Sequence, residues 1–230
     1  QARSRKGQPR QQSRVKELKA KVEALRIQRE QSLFICFNLH FFPTLFYLPI
    51  SPGGYDIIKT DKGKGVCVSI ATAYEGVFLD TFNLEIDLKP MVKISRHNIP
   101  PFIPVNGLAE QNNMQTDMRA FLDMLSQHLN AFAGRKQQLK LVKEQHKSVE
   151  VMESNVLCSV LVLLFTVPRE KTAVLCSLDY TDHTRCLPTR VHFENKQLSD
   201  SPEWKKNWSL LMETPVHKAL LTMKKMGNIV

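Results

Sequence analysis

No two cysteines in this chain stand in a CxxC pair, and none of the nine glycines sits in a phosphate-loop or dinucleotide-binding frame. HExxH and GxSxG are equally missing. Zinc ribbons, nucleotide cradles, zincin helices and esterase elbows each need their donors at fixed spacing, so these absences exclude them. The five cysteines (Cys36, Cys67, Cys158, Cys176 and Cys186) are odd in number and irregularly spaced. They make no disulfide framework, and they fit a reducing cytosolic or nuclear compartment in which none is paired. Acidic residues are also scarce, 22 against 32 Lys and Arg, for a net charge of +10.

That excess is local. Residues 1–30 carry ten Lys and Arg against Glu17, Glu23 and Glu30, while the remaining two hundred residues are nearly balanced. The first thirty residues hold no aromatic side chain, so stacking on nucleobases is not expected of them. Elsewhere the composition, 43% hydrophobic and 23% charged, is that of a globular chain long enough for one large domain or two small ones. The chain begins with Gln1 rather than methionine. The expectation is a piece of a longer protein, with any N-terminal targeting signal outside it.

Residues 1–14 are polar, basic and broken by Gly7 and Pro9, which predicts a disordered arm. Arg3, Arg5, Lys6, Arg10 and Arg14 are its candidate phosphate contacts. In residues 15–31, Val15, Leu18, Val22 and Leu25 recur at spacings of three and four. Such a seam predicts a short amphipathic helix, with a coiled coil and a helical partner as its use. Residues 32–52 hold an atypical hydrophobic segment, whose part 32–50 has no formal charge and invites a test as a membrane span. Pro43 and Pro49 break it and Asn38 and His40 dilute it, so the expectation is no membrane insertion. A buried helix on the following domain, or sequence foreign to the mature protein, are the other readings.

From residue 53 the period changes to two. Val66, Val68 and Ile70 alternate with Cys67, Ser69 and Ala71, and Phe82, Leu84, Ile86 and Leu88 alternate with Asn83, Glu85 and Asp87. With a third short strand over 91–95, these predict an antiparallel meander covered on one face. The proline-rich stretch 98–104 is a crossover. Met118, Phe121, Leu122, Leu125, Leu129 and Phe132 then form a helical stripe meant to pack on Val66, Val68 and Leu84. Gly134 is expected to weaken the end of that helix, with residues 135–147 continuing it as an exposed polar face. The pattern partly repeats: an apolar strand over 156–167, alternating strands over 172–180 and 189–193, and one or two helices over 202–226. Leu210, Leu211 and Met212 belong to the first of these, Val216, Leu220 and Leu221 to the second. Strands followed by helices, twice over, predict an α+β chain of two tandem modules, 53–150 and 151–230. The strand over 156–165 is almost continuously apolar, which implies cover on both faces. Leu161 and Leu163 on it are candidate partner-binding residues.

Candidate chemistry is thin. Asp182 and His183 with Cys176 and Cys186 nearby are the only group a metal could use. Their spacing is poor, and Cys176 reads better as a small core residue and His183 as a turn residue. No catalytic, cofactor-binding or metal residue is expected.

The sequence GVCVSIATAYEGVFLDTFNLEI (65–86), followed by PPFIPVNGLA (100–109) and LNAFAGRKQQ (129–138), resembles the centromere protein O family. The likeness continues more weakly into EWKKNWSLLMETPVHKALLTMKK. It implies an N-terminal coiled coil, two RWD domains in tandem and a non-catalytic adaptor of the inner kinetochore in the nucleus. The implied partners are centromere protein P as a heterodimer, centromere proteins Q, U and R, and the L–N module. In that family a charged helical stretch leads into the first RWD domain, and residues 32–50 depart from it, as a splice variant or mis-joined gene model would. His97-Asn98-Ile99-Pro100 also invites comparison with the His-Pro-Asn motif of ubiquitin-conjugating enzymes, whose fold is related. The comparison fails on the nucleophile, because the next cysteine, Cys158, lies beyond a whole helix. Two rival functions follow from the residues: non-specific nucleic-acid binding through the basic arm, and membrane anchoring through 32–50.

Overall fold

A computed structural model describes residues 54–59, 64–168, 172–194 and 201–230. The basic arm, the 15–31 seam with Val15, Leu18, Val22 and Leu25, and the hydrophobic segment 32–52 lie outside the described residues.

Two four-stranded antiparallel sheets alternate with helices, which is the α+β arrangement read from the sequence. The first sheet holds β1 (Tyr55–Lys59), β2 (Gly65–Tyr74), β3 (Val77–Asp87) and β4 (Lys93–His97), ordered as in the chain. A short helix α1 (Val105–Gln111) and the 28-residue helix α2 (Met118–Gln145) follow. The second sheet, also in chain order, holds β5 (Glu150–Ser154), β6 (Val160–Val167), β7 (Thr172–Asp179) and β8 (Arg190–Phe193). Helices α3 (Pro202–Glu213) and α4 (Val216–Lys225) complete the described chain.

The first core forms where the two periods meet. Val68 lies opposite Leu84 and Ile70 opposite Phe82, so one face of β2 and β3 is a continuous apolar surface. All six residues of the helical stripe are buried, and Phe121, Leu122, Leu125 and Leu129 are fully so. The Asp117 carboxylate caps α2 by accepting from Ala120 N at 2.9 Å. Two-residue turn chemistry joins β2 to β3: Glu75 and Gly76 both have positive φ, as a type I′ hairpin requires.

Several elements differ from the sequence reading. β1, β5 and α1 are too short for their period to register. The third strand sits at Lys93–His97 rather than 91–95. β6 begins at Val160, because Asn155 turns the chain: its side-chain oxygen accepts from Ser159 N at 2.8 Å, and Cys158 takes a positive φ. Val156 is left 77% exposed. Leu221 is 45% exposed, and Met223 takes its place against the core.

The second core is built by three helices. Leu161, Leu163, Phe165 and Val167 of β6, with Val174, Cys176 and Leu178 of β7, bury one face of the sheet. Val142 from the end of α2, Trp204 and Leu211 from α3, and Val216, Ala219, Leu220 and Met223 from α4 close over it. Trp204 stacks on Phe165 at 6.2 Å and meets Phe193 edge-on at 4.9 Å. One helix, α2, therefore contributes to both cores.

Candidate interaction surfaces

Leu161 and Leu163, expected to face a partner, point into this core, with relative exposures of 5% and 0%. The strand alternates: Val160, Val162 and Leu164 occupy the other face, half-buried. The chain's own helices cover one side of this apolar run and leave the other half-buried. Arg3, Arg5, Lys6, Arg10 and Arg14 lie outside the described residues. Cys176 is a core residue and its thiol is pushed up by burial. Among the described residues, no three His, Cys, Asp or Glu side chains are placed to hold a metal. Cys158 sits half-buried in its turn, and desolvation raises its thiol above the ordinary value, the opposite of an activated nucleophile.

The polar stretch 135–147, expected to be an exposed face, is the joint between the two sheets. Arg135, Gln138 and His146 are buried at 3%, 1% and 4% exposure. Gln138 Nε2 donates to the Cys186 carbonyl at 3.0 Å, and its Oε1 accepts from Val216 N at 3.1 Å. The amide thus supplies the first turn of α4 with the acceptor that its N-cap, Pro215, lacks. Arg135 Nη1 donates to the Arg185 carbonyl at 2.8 Å, and its guanidinium lies 5.9 Å from the Tyr180 ring centre. Gly134 is a packing requirement: a Cβ there would stand 2.6 Å from Cys186 Sγ and 3.2 Å from the Tyr74 ring. A glycine expected to weaken the helix instead lets Tyr74 and Cys186 approach it.

Across the same joint, Lys218 on α4 meets Glu75 of the β2–β3 turn at 2.6 Å, and this hydrogen-bonded pairing holds Glu75 below the ordinary carboxylate range. His146 Nε2 hydrogen-bonds the His217 carbonyl at 2.8 Å, while the His217 ring stands edge-on to Tyr74 at 6.1 Å. Burial lowers both imidazoles, leaving them neutral at physiological pH.

The outer faces of the two sheets, opposite the buried cores, differ in chemistry. On the first sheet, Ser69 donates to Asn83 at 2.8 Å, and Arg96 grips Glu85 through two bonds of 3.0 Å. On the second, Val160, Val162, Leu164 and Leu175 form a half-buried apolar stripe, with Glu150 and Glu153 on one side and Ser177 and Asp179 on the other, and Asp179 pairs with Arg190 at 3.4 Å. A groove of about 540 Å³ also opens between β3 and α2. Among the described residues, the arrangement offers apolar and charged contact surfaces.

No protein-family model matches the chain. Curated relatives do. It is 40% identical to centromere protein O of Xenopus tropicalis over 163 residues, covering 68% of this chain and 54% of that protein. The chain belongs to the centromere protein O family. Centromere protein O of Gallus gallus is 45% identical over 107 residues, 45% of this chain and 32% of the relative. The human protein is 33% identical over 132 residues, 56% and 44% of the two chains. The chain thus spans about half the length, or less, of the centromere protein O relatives it matches.

Proposed function

We propose that this chain is a non-catalytic structural adaptor of the inner kinetochore, acting in the nucleus at the centromere in kinetochore assembly and chromosome segregation. The names of its relatives, all centromere protein O, carry this reading. The two sheet-and-helix modules are taken as a tandem RWD pair, with residues 15–31 as the coiled coil ahead of it. The apolar stripe of Val160, Val162, Leu164 and Leu175 is the face offered to centromere protein P, since a half-buried apolar sheet face gains from being covered. Through that heterodimer the chain joins centromere proteins Q, U and R on the L–N module. Concentration of cations in residues 1–30 supports an auxiliary contact with DNA phosphates, through Arg3, Arg5, Lys6, Arg10 and Arg14.

Co-expression with centromere protein P tests the proposal. A stoichiometric complex that survives gel filtration is expected. A monomeric chain that ignores centromere protein P at micromolar concentration defeats it. For the arm, DNA affinity should fall steeply with salt and vanish when residues 1–30 are removed.

A further inference from the structure

The groove between β3 and α2 is asymmetric in charge. Phe82, Phe132 and Leu139 line its apolar side, and Lys136, Lys140 and Lys143 stand along its helical rim. The three lysines are exposed and recur at spacings of four and three, so they follow one flank of α2 for about 10 Å. Two acids, Asp80 and Glu144, also touch the groove, and Glu144 lies 3.9 Å from Lys140. The rim stays net positive. Leu79 of β3, half-buried, also lines the groove.

β4 pairs with β3 only over Leu84–Asp87, so among the described residues Val77–Thr81 has a strand neighbour on one side alone. An added strand is nevertheless a poor occupant. The register with β2 shifts between Thr72 and Ala73, which places an extra residue in this part of β3, and such bulges twist an edge away from pairing. A helix suits the site better. Laid along α2, it presents an apolar stripe to Phe82, Phe132 and Leu139 and acidic residues at matching three-and-four spacing to the lysines, as flanking charges do in paired helices. The chain's own residues 15–31 are net basic and would be repelled.

We propose that this groove docks an acidic, amphipathic helix of a partner protein. The inference deepens the adaptor reading, on which it rests, by naming a second contact surface and the chemistry of what it holds.

The probe is a labelled synthetic helical peptide with a leucine stripe flanked by glutamates, titrated by fluorescence anisotropy into the full chain. Two control peptides carry lysines in place of the glutamates, or central prolines that forbid a helix. The acidic helix alone should bind, and more weakly as salt rises. The triple variant Lys136→Glu, Lys140→Glu, Lys143→Glu should bind it roughly tenfold or more weakly, since three exposed pairings are lost. Its thermal unfolding should match the parent, because all three lysines are exposed. Leu79→Ser, at a half-buried residue of the groove lining, should weaken binding without changing its salt dependence. Equal binding of the lysine peptide, equal binding of the proline peptide (an extended occupant), or no binding at micromolar protein overturns the proposal. So does a concentration-dependent dimer of the full chain that Leu79→Ser abolishes, which would make a second copy the occupant. Loss of the centromere protein P complex with peptide binding intact sinks only the kinetochore reading; the reverse sinks only the groove.

Discussion

The two sheets share a plan, a four-stranded meander with helices on one face, but their surfaces are managed differently. In the first, α2 packs on the sheet, and the outer face carries polar pairs such as Arg96 with Glu85 and Ser69 with Asn83 beside an exposed Ile58. The second needs three helices to close its inner face, one of them borrowed from the first module, and its outer face stays partly apolar. A module that relies on another's helix and shows an apolar back is the one whose surface has most to gain from a partner.

That contrast can be broken at its base by cutting both cores. Leu125→Ala in the first and Leu163→Ala in the second remove fully buried side chains, and each should cost about 2–5 kcal/mol in chemical denaturation. A cost below about 0.5 kcal/mol at Leu163 would mean that this chain's own helices do not close the second core. The dependence on a borrowed helix is sharpened by Gln138→Ala, which orphans Val216 N–H and the Cys186 carbonyl. It should cost about 2 kcal/mol, with amide exchange rising in α4 and staying slow in β2 and β3. Equal loosening of both modules would dissolve the distinction.

The outer faces are compared by a matched pair of charges. Leu164→Lys and Ser69→Lys should each shift stability by less than about 1 kcal/mol, because neither side chain is in a closed core. Only Leu164→Lys should abolish co-purification with centromere protein P; equal loss from both would remove the apolar stripe as the contact. The gentlest test is acid. His146 and His217 are lowered by burial; at His146 the bond to the His217 carbonyl opposes this and Lys224 adds to it, and at His217 Glu75 opposes it while Lys218 and His146 add to it. The unfolded chain therefore takes up protons first. Stability is fully present above the ordinary imidazole value of 6.5 and declines as pH falls from there toward the lowered folded-state values. His217→Gln should flatten that decline, measured as the denaturation midpoint against pH; an unchanged slope would show that the imidazole is not sequestered.

By itself, the sequence determined the elements whose side chains repeat. The alternation in β2, β3 and β7 and the six-residue stripe of α2 are dictated by local period, and their inward faces are the ones buried. The motif run over 65–86 likewise pointed to the family that the comparison with relatives establishes. Tertiary structure alone decided which side of β6 this chain covers, and so turned Leu161 and Leu163 from contact residues into core. It also decided that Arg135, Gln138 and His146 are buried. Nothing in their own stretch says so, because their partners, the carbonyls of Arg185, Cys186 and His217 and the amide of Val216, lie about fifty to eighty residues further along. Gly134 is a similar case. A glycine in a helix reads as weakness until the side chains of Tyr74 and Cys186 arrive from either side and leave no room for a methyl group. Period is a property of neighbours in the chain, whereas burial of a polar group depends on acceptors that only the folded chain brings to it.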